Sequence, residues 1–174
     1  MKLKKNIVLT GFMGTGKTYT GRVLAVRLGT RFIDTDSLIE NDAGIPIREM
    51  FEKFGEPHFR EIERDIIRKV SDQNGVVIAV GGGALINPEN LNDLKRCGIV
   101  VNLTASPDVI LSRVERNPDR PLLQVDDKIG KIKELLAVRA PFYDKADIAI
   151  NTDGKKPEQV AEEILEAVRD KWIL

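Results

Sequence analysis

The segment Gly11-Phe12-Met13-Gly14-Thr15-Gly16-Lys17-Thr18 fits the pattern G-x-x-x-x-G-K-[ST], and it constrains what must precede and follow it. Glycines at these places let backbone N–H groups turn inward and form an anion nest. The nest works when a buried strand delivers the chain to it and a helix carries the chain away, the helix adding the positive end of its dipole. Both are written in the sequence. Asn6-Ile7-Val8-Leu9-Thr10 is an apolar, β-branched run stopped by Gly11, which predicts a strand over Lys5–Thr10. From Lys17, Val23, Leu24 and Leu28 recur at helical spacing, and Gly29 stands where a C-cap belongs. In that setting Lys17 can reach β- and γ-phosphates, and the Thr18 hydroxyl can ligate Mg²⁺. The loop therefore reads as a grip on a nucleoside triphosphate. ATP is the expected one, because the Asn-Lys-x-Asp tetrapeptide usual for guanine does not occur.

The rest of the chain repeats the alternation. Further strands are expected at Arg31–Ile33, Val76–Val80, Gly98–Leu103 and Ile148–Ile150. Helical stretches are expected at Ser37–Asn41, Ile47–Phe54, Pro57–Val70, Pro88–Arg96, from Ser106 or Pro107 towards Arg116, Lys128–Tyr143 and Pro157–Trp172. Gly55 separates two of them, and Pro141 is expected to interrupt Lys128–Tyr143. Strand and helix in alternation make βαβ units and a parallel sheet with helices on both faces. Ligands of such sheets bind beyond the carboxyl ends of the strands. The 174 residues fit one domain. Asn117–Asp127 is a polar loop with two prolines, and a mobile lid is expected at about 112–126.

Charge and cysteine usage narrow the partners. Lys plus Arg number 27 and Asp plus Glu number 27, which argues against a nucleic-acid partner held by bulk charge. The single cysteine, Cys97, has no internal partner for a disulfide and reads as an apolar filler. The basic start, Met1-Lys2-Leu3-Lys4-Lys5, leads into no long apolar segment. A cytoplasmic monomer away from membranes is expected.

Four further features should fall on the same edge of the sheet. Asp34-Thr35-Asp36 ends the second strand, and alternate strand residues share a face. One carboxylate can hold Mg²⁺ through water and the other can accept a hydroxyl proton; an ordinary N-cap before Ser37 would use the same residues. Arg60 and Glu63 are i,i+3 neighbours, so Glu63 can hold Arg60 to fork onto a carboxylate, or the two can form a solvated surface pair. Gly81-Gly82-Gly83 after an apolar strand admits a ligand close against the backbone. Arg120-Pro121-Leu122-Leu123 can bring an arginine over the phosphates, with Arg139 on the next helix.

This constellation resembles the shikimate kinase family. Gly11–Thr18 is similar to that family's phosphate loop, Asp34-Thr35-Asp36 to its D-T-D segment, and Gly55-Glu56-x-x-Phe59-Arg60-x-x-Glu63 to its G-E-x-x-F-R-x-x-E segment. Gly81–Gly83 is similar to its triple glycine, Arg120-Pro121-Leu122 to its lid motif, and Arg139-x-x-x-Tyr143-x-x-x-Asp147 to its R-x-x-x-Y-x-x-x-[AD] segment. The likeness runs from Asn6 to about Pro157. It implies a P-loop, nucleoside-monophosphate-kinase-like three-layer α/β fold with a five-stranded parallel sheet. It also implies Mg²⁺-dependent transfer of the ATP γ-phosphoryl to the 3-hydroxyl of shikimate, in the route to chorismate and the aromatic amino acids. For the residues, the resemblance implies Lys17, Asp36 and Arg120 as catalytic, with Thr18 and Asp34 near the metal. The nucleotide would meet Gly14, Thr15, Gly16, Lys17, Thr18, Tyr19, Arg116, Arg120, Lys155 and Pro157. Shikimate would meet Asp36, Arg60, Gly81, Gly82, Gly83 and Arg139. The chain departs from the family at Tyr19, where Ser or Thr is common, and at Lys155-Lys156 in a variable adenine loop. A gluconate-type kinase and a non-catalytic nucleotide-binding module are the competing readings.

Overall fold

A computed structural model describes residues 3–116 and 125–172; from 170 onward only the backbone is included. The expected lid is therefore described only in part, and Arg120 lies outside the described residues.

The described chain runs β1 (Asn6–Gly11), α1 (Lys17–Leu28), β2 (Phe32–Asp34), α2 (Thr35–Ala43), α3 (Ile47–Ser71), β3 (Val77–Ala79), a 3₁₀ turn (Ala84–Ile86), α4 (Pro88–Cys97), β4 (Gly98–Thr104), α5 (Pro107–Val114), α6 (Lys128–Tyr143), β5 (Ile148–Asn151) and α7 (Pro157–Trp172). The strands form one five-stranded sheet in the order β2-β3-β1-β4-β5, and every pairing is parallel. β1 lies at the centre, with Val8 opposite Ile78 on one side and Val100 on the other.

Alternation along each strand divides the core into two layers. Val8, Ile78 and Val100 pack with Ile39, Met50, Phe59, Ile67, Leu94, Ile110 and Ile132, so α2 to α6 cover one face. Ile7, Leu9, Val77, Val101 and Leu103 pack with Leu24, Leu28, Val160, Ile164 and Val168, so α1 and α7 cover the other. All six residues of β1 are buried, which is why its sequence reads as a continuous apolar run rather than an alternating one. Each fully buried Leu or Ile of these layers contributes about 2 kcal/mol relative to exposure.

Several boundaries differ from expectation for local reasons. α2 starts at Thr35 rather than Ser37, because the Asp34 side chain accepts from the Asp36 and Ser37 N–H groups and caps the helix two residues earlier. β3 is shorter than Val76–Val80: the Val76 N–H donates to the Asn6 side chain rather than to a strand. α5 ends at Val114, short of Arg116. Pro141 does not interrupt α6. It sits in the final turn, where one lost donor is tolerated and the Asp144 N–H closes onto the Ala140 carbonyl. Gly55 does break the long α3 as expected. Its φ of 81° and ψ of 169° are non-helical, a conformation that suits glycine.

Candidate active site

The loops after β1, β2 and β3 converge at the carboxyl ends of the strands, and there they enclose a cavity of about 650 Å³. One end is the phosphate loop. Gly14 and Gly16 take φ of 77° and 93°, and no side chain caps α1, so its N-terminus faces the cavity as an anion site. The Lys17 ammonium curls back over the loop and donates to the carbonyls of Gly11 (2.8 Å) and Phe12 (3.0 Å). Buried Thr15 ties the same turn by donating its hydroxyl to the Phe12 carbonyl at 2.8 Å.

Arg113, which sequence reasoning missed, braces this loop from α5. Its Nη1 donates to the Gly14 carbonyl and to the Thr152 hydroxyl, both at 3.0 Å, and its Nη2 donates to the Thr152 carbonyl at 2.9 Å. An arginine in the last turn of a helix reads in sequence as a complement to the helix dipole, so nothing local marks it. Arg116, Lys155, Pro157 and Tyr19 line the same cavity. Lys155 is held by Glu163 of α7 at 2.7 Å, and Tyr19 remains 69% exposed.

Between the two ends stand the carboxylates after β2. The Thr18 hydroxyl donates to Asp34 Oδ2 at 2.8 Å, while Asp34 Oδ1 accepts from the Asp36 N–H at 3.1 Å. Asp34 thus serves as helix cap and cleft carboxylate together, the two readings the sequence leaves open. Asp36, one residue into the helix, points at Gly81: a Cβ on Gly81 would lie 3.0 Å from Asp36 Oδ1 and 2.8 Å from Glu63 Oε1.

At the other end Arg60 Nη1 donates to Glu63 Oε2 at 2.7 Å. Glu63 is only 1% exposed, so this is no solvated surface pair. Burial raises the Glu63 carboxyl above its ordinary range, against the attraction of Arg60, and the charge of Asp36 adds to the rise. Burial works against the Arg60 charge, but Glu63 and Glu56 outweigh it and hold the guanidinium above its ordinary value. Arg139 is buried, with its Cζ 5.4 Å from the centre of the Phe12 ring. The Tyr143 hydroxyl donates to the Gly82 carbonyl at 2.6 Å, and burial pushes that phenol up, so it stays a neutral donor.

The triple glycine has a second purpose besides ligand approach. A Cβ on Gly83 would meet Arg60 Nη2 at 2.5 Å, and one on Gly82 would meet Arg139 Nη1 at 3.2 Å. The missing side chains make room for the two guanidinium groups. The cavity therefore gathers every described residue that the resemblance assigns to nucleotide, metal or shikimate: Gly14 to Tyr19, Asp34, Asp36, Arg60, Gly81 to Gly83, Arg116, Arg139, Lys155 and Pro157. Glu63, which the sequence pairs with Arg60, lines it as well, and the structure adds Arg113 and Thr152.

A family model described as shikimate kinase matches residues 13–169. The chain belongs to the shikimate kinase family. It is 48% identical over 161 residues to the shikimate kinase of Thermodesulfovibrio yellowstonii, covering 92% of this chain and 93% of that protein. The solved shikimate kinase from Acinetobacter baumannii in complex with shikimate superposes with a TM-score of 0.92 at 39% identity, covering 95% of this chain and 93% of that one. A gluconokinase from Sinorhizobium meliloti shares 16% identity at a TM-score of 0.64 over 97% of this chain and 94% of that one, and so shares the fold alone. The sheet and its helices are those of the P-loop, nucleoside-monophosphate-kinase-like fold of these shikimate kinases. As a member of that family the chain is an ATP-dependent phosphotransferase that works with Mg²⁺. The donor set suits that ion: a hydroxyl and a carboxylate oxygen converge at Thr18 and Asp34. Among the described residues no group of three or more His, Cys, Asp or Glu could hold a metal. Mg²⁺ characteristically needs only one or two carboxylates alongside substrate phosphates. Among the described residues no helix is long and apolar enough to cross a membrane.

Proposed function

We propose that ATP occupies the phosphate-loop end of the cavity, shikimate the arginine end, and that the γ-phosphoryl group passes between them to the 3-hydroxyl of shikimate. The observation that carries this reading is the continuity of one cavity from Lys17 and Thr18 to Arg60 and Arg139, with Asp36 between them. In-line transfer forms a bond from the acceptor oxygen to the γ-phosphorus and breaks the bond from that phosphorus to the β,γ-bridging oxygen. Asp36 orients the acceptor hydroxyl and takes its proton; Lys17 neutralises charge on the phosphates. Arg60 and Arg139 hold the shikimate carboxylate as planar forks, and Gly81, Gly82 and Gly83 leave space beside the ring. Thr18 and Asp34 would hold Mg²⁺, which when bound offsets the charge of the β- and γ-phosphates. Gly14, Thr15, Gly16 and Tyr19 complete the phosphate end, and Arg116, Lys155 and Pro157 the nucleoside end. Arg120 acts from a lid at about 112–126 that excludes water. The working protein is a single-domain cytoplasmic monomer that acts on a small molecule and needs no nucleic acid, in keeping with its balanced charge.

The test is ADP release by a coupled assay with shikimate, with gluconate and with no acceptor. Release that depends on shikimate and falls at least about 100-fold in Asp36→Ala supports the reading. Release indifferent to shikimate refutes the substrate, and a near wild-type Asp36→Ala refutes the role of Asp36.

A further inference from the structure

We infer that Glu56 is a positioning residue for the acceptor site: it grips Arg60 from outside the cavity and fixes which N–H groups remain for the substrate carboxylate. This rests on the proposed role of Arg60.

The donor count leads to it. A guanidinium has five N–H donors and no acceptor. Arg60 Nε and Nη2 both donate to a single oxygen, Glu56 Oε1, at 3.1 and 3.0 Å. Nη1 donates to Glu63 Oε2 at 2.7 Å. Three hydrogens are thereby committed, and one remains on each Nη. A carboxylate needs two N–H groups for bidentate recognition, so the substrate can add to the Glu56 and Glu63 contacts without displacing either.

The two glutamates divide the work by burial. Glu63 and Arg60 line the cavity, whereas Glu56 does not. The Glu56 side chain is 53% exposed and the Glu63 side chain 1%. Glu63 alone would leave the Nε flank free, and a long arginine side chain held by one bond samples other rotamers. The second bond, from a residue one helical turn earlier, closes that freedom. The Phe59 ring, 5.0 Å from Arg60 Cζ, backs the same guanidinium. The break at Gly55 immediately precedes Glu56, so Glu56, Arg60 and Glu63 lie on one face of the segment that follows it.

The exposed position of Glu56 makes the role separable from stability, because exposed ion pairs contribute little to folding. Its effect should appear in substrate geometry. Steady-state kinetics on the whole protein should show KM for shikimate raised about five-fold or more in Glu56→Ala, and less in Glu56→Gln, whose amide oxygen can still accept both bonds without the charge. In both variants kcat, KM for ATP and the melting temperature should stay near wild type. A KM for shikimate within about two-fold of wild type in both variants overturns the inference, as does an equal rise in KM for ATP, since a structural defect moves both. Wild-type protein whose ADP release ignores shikimate would instead overturn the substrate reading itself, so the two failures are told apart in one experiment.

Discussion

Gly83→Ala adds one carbon at a backbone conformation, φ −105° and ψ 2°, that other residues also adopt. Any effect must come from what the carbon touches. It would meet Arg60 Nη2 at 2.5 Å, and Cζ and Nη1 at 3.0 Å. Ordinary contact at about 3.5 Å requires the guanidinium to retreat by about 1 Å. Arg60 holds Glu63 at 2.7 Å, and a shift of that size away from Glu63 takes the pair beyond hydrogen-bonding range. A charge-assisted bond of this kind is worth about 1.5–3 kcal/mol, which corresponds to roughly 10- to 150-fold in kcat/KM at about 1.4 kcal/mol per decade. The loss should fall on shikimate, because the phosphate loop is untouched. Arg60 is partly exposed, so it can swing outward and spare the fold most of the overpacking cost. The assay is kcat/KM for shikimate at saturating ATP, with KM for ATP and a thermal melt alongside. A kcat/KM for shikimate within two-fold of wild type would refute the claim that the glycine exists to accommodate Arg60. A parallel rise in KM for ATP would refute the division of the cavity into two ends.

Two further outcomes follow from the carboxylates. The Glu63 carboxyl is raised in the folded state above its ordinary value of 4.5, so the folded protein binds this proton more tightly than the unfolded chain. The corresponding stability is fully present below about pH 4.5 and is lost as pH rises through the folded value. Glu63→Gln should therefore gain stability relative to wild type as pH rises from about 4.5 to 7 in urea denaturation; a difference independent of pH would contradict this. In Asp34→Asn the helix cap survives, since Asn caps as well as Asp, but the charge beside Thr18 is lost. The Mg²⁺ concentration for half-maximal activity should rise about ten-fold with KM for shikimate unchanged, as read from Mg²⁺ titrations; an unaltered Mg²⁺ requirement would remove Asp34 from the metal site.

The parts legible in the sequence are those whose physics is local. β1 and β4 announce themselves because strands covered on both faces carry unbroken apolar runs, Ile7-Val8-Leu9 and Ile99-Val100-Val101. The phosphate loop does so because a chain must be glycine-rich to turn N–H groups inward. Less legible are features decided by distant neighbours. The i,i+3 spacing of Arg60 and Glu63 is visible, but the burial of Glu63 comes from packing that no spacing encodes. The triple glycine reads as space for a ligand, while the atoms a Cβ would first meet belong to Arg60, Arg139, Asp36 and Glu63. Arg113 escapes notice because its partners, Gly14 and Thr152, are 99 and 39 residues away. Pro141 misleads because its cost depends on position in the helix, and the sequence does not mark where the last turn begins.

The Arg113 brace also bears on the order in which the molecule can be made. During synthesis the phosphate-loop residues emerge first, yet β1 has no sheet neighbours until residues 77–79 and 98–104 exist, and the Gly14 carbonyl has no guanidinium until Arg113 follows. The Thr152 half of that brace arrives later still. Contacts of such sequence separation form slowly, because loop-closure entropy must be overcome before they contribute. A nascent chain stopped before Arg113 carries the complete glycine-lysine signature without the structure that braces it. The segment by which the chain is most easily classified is thus among the last parts of the protein to be finished.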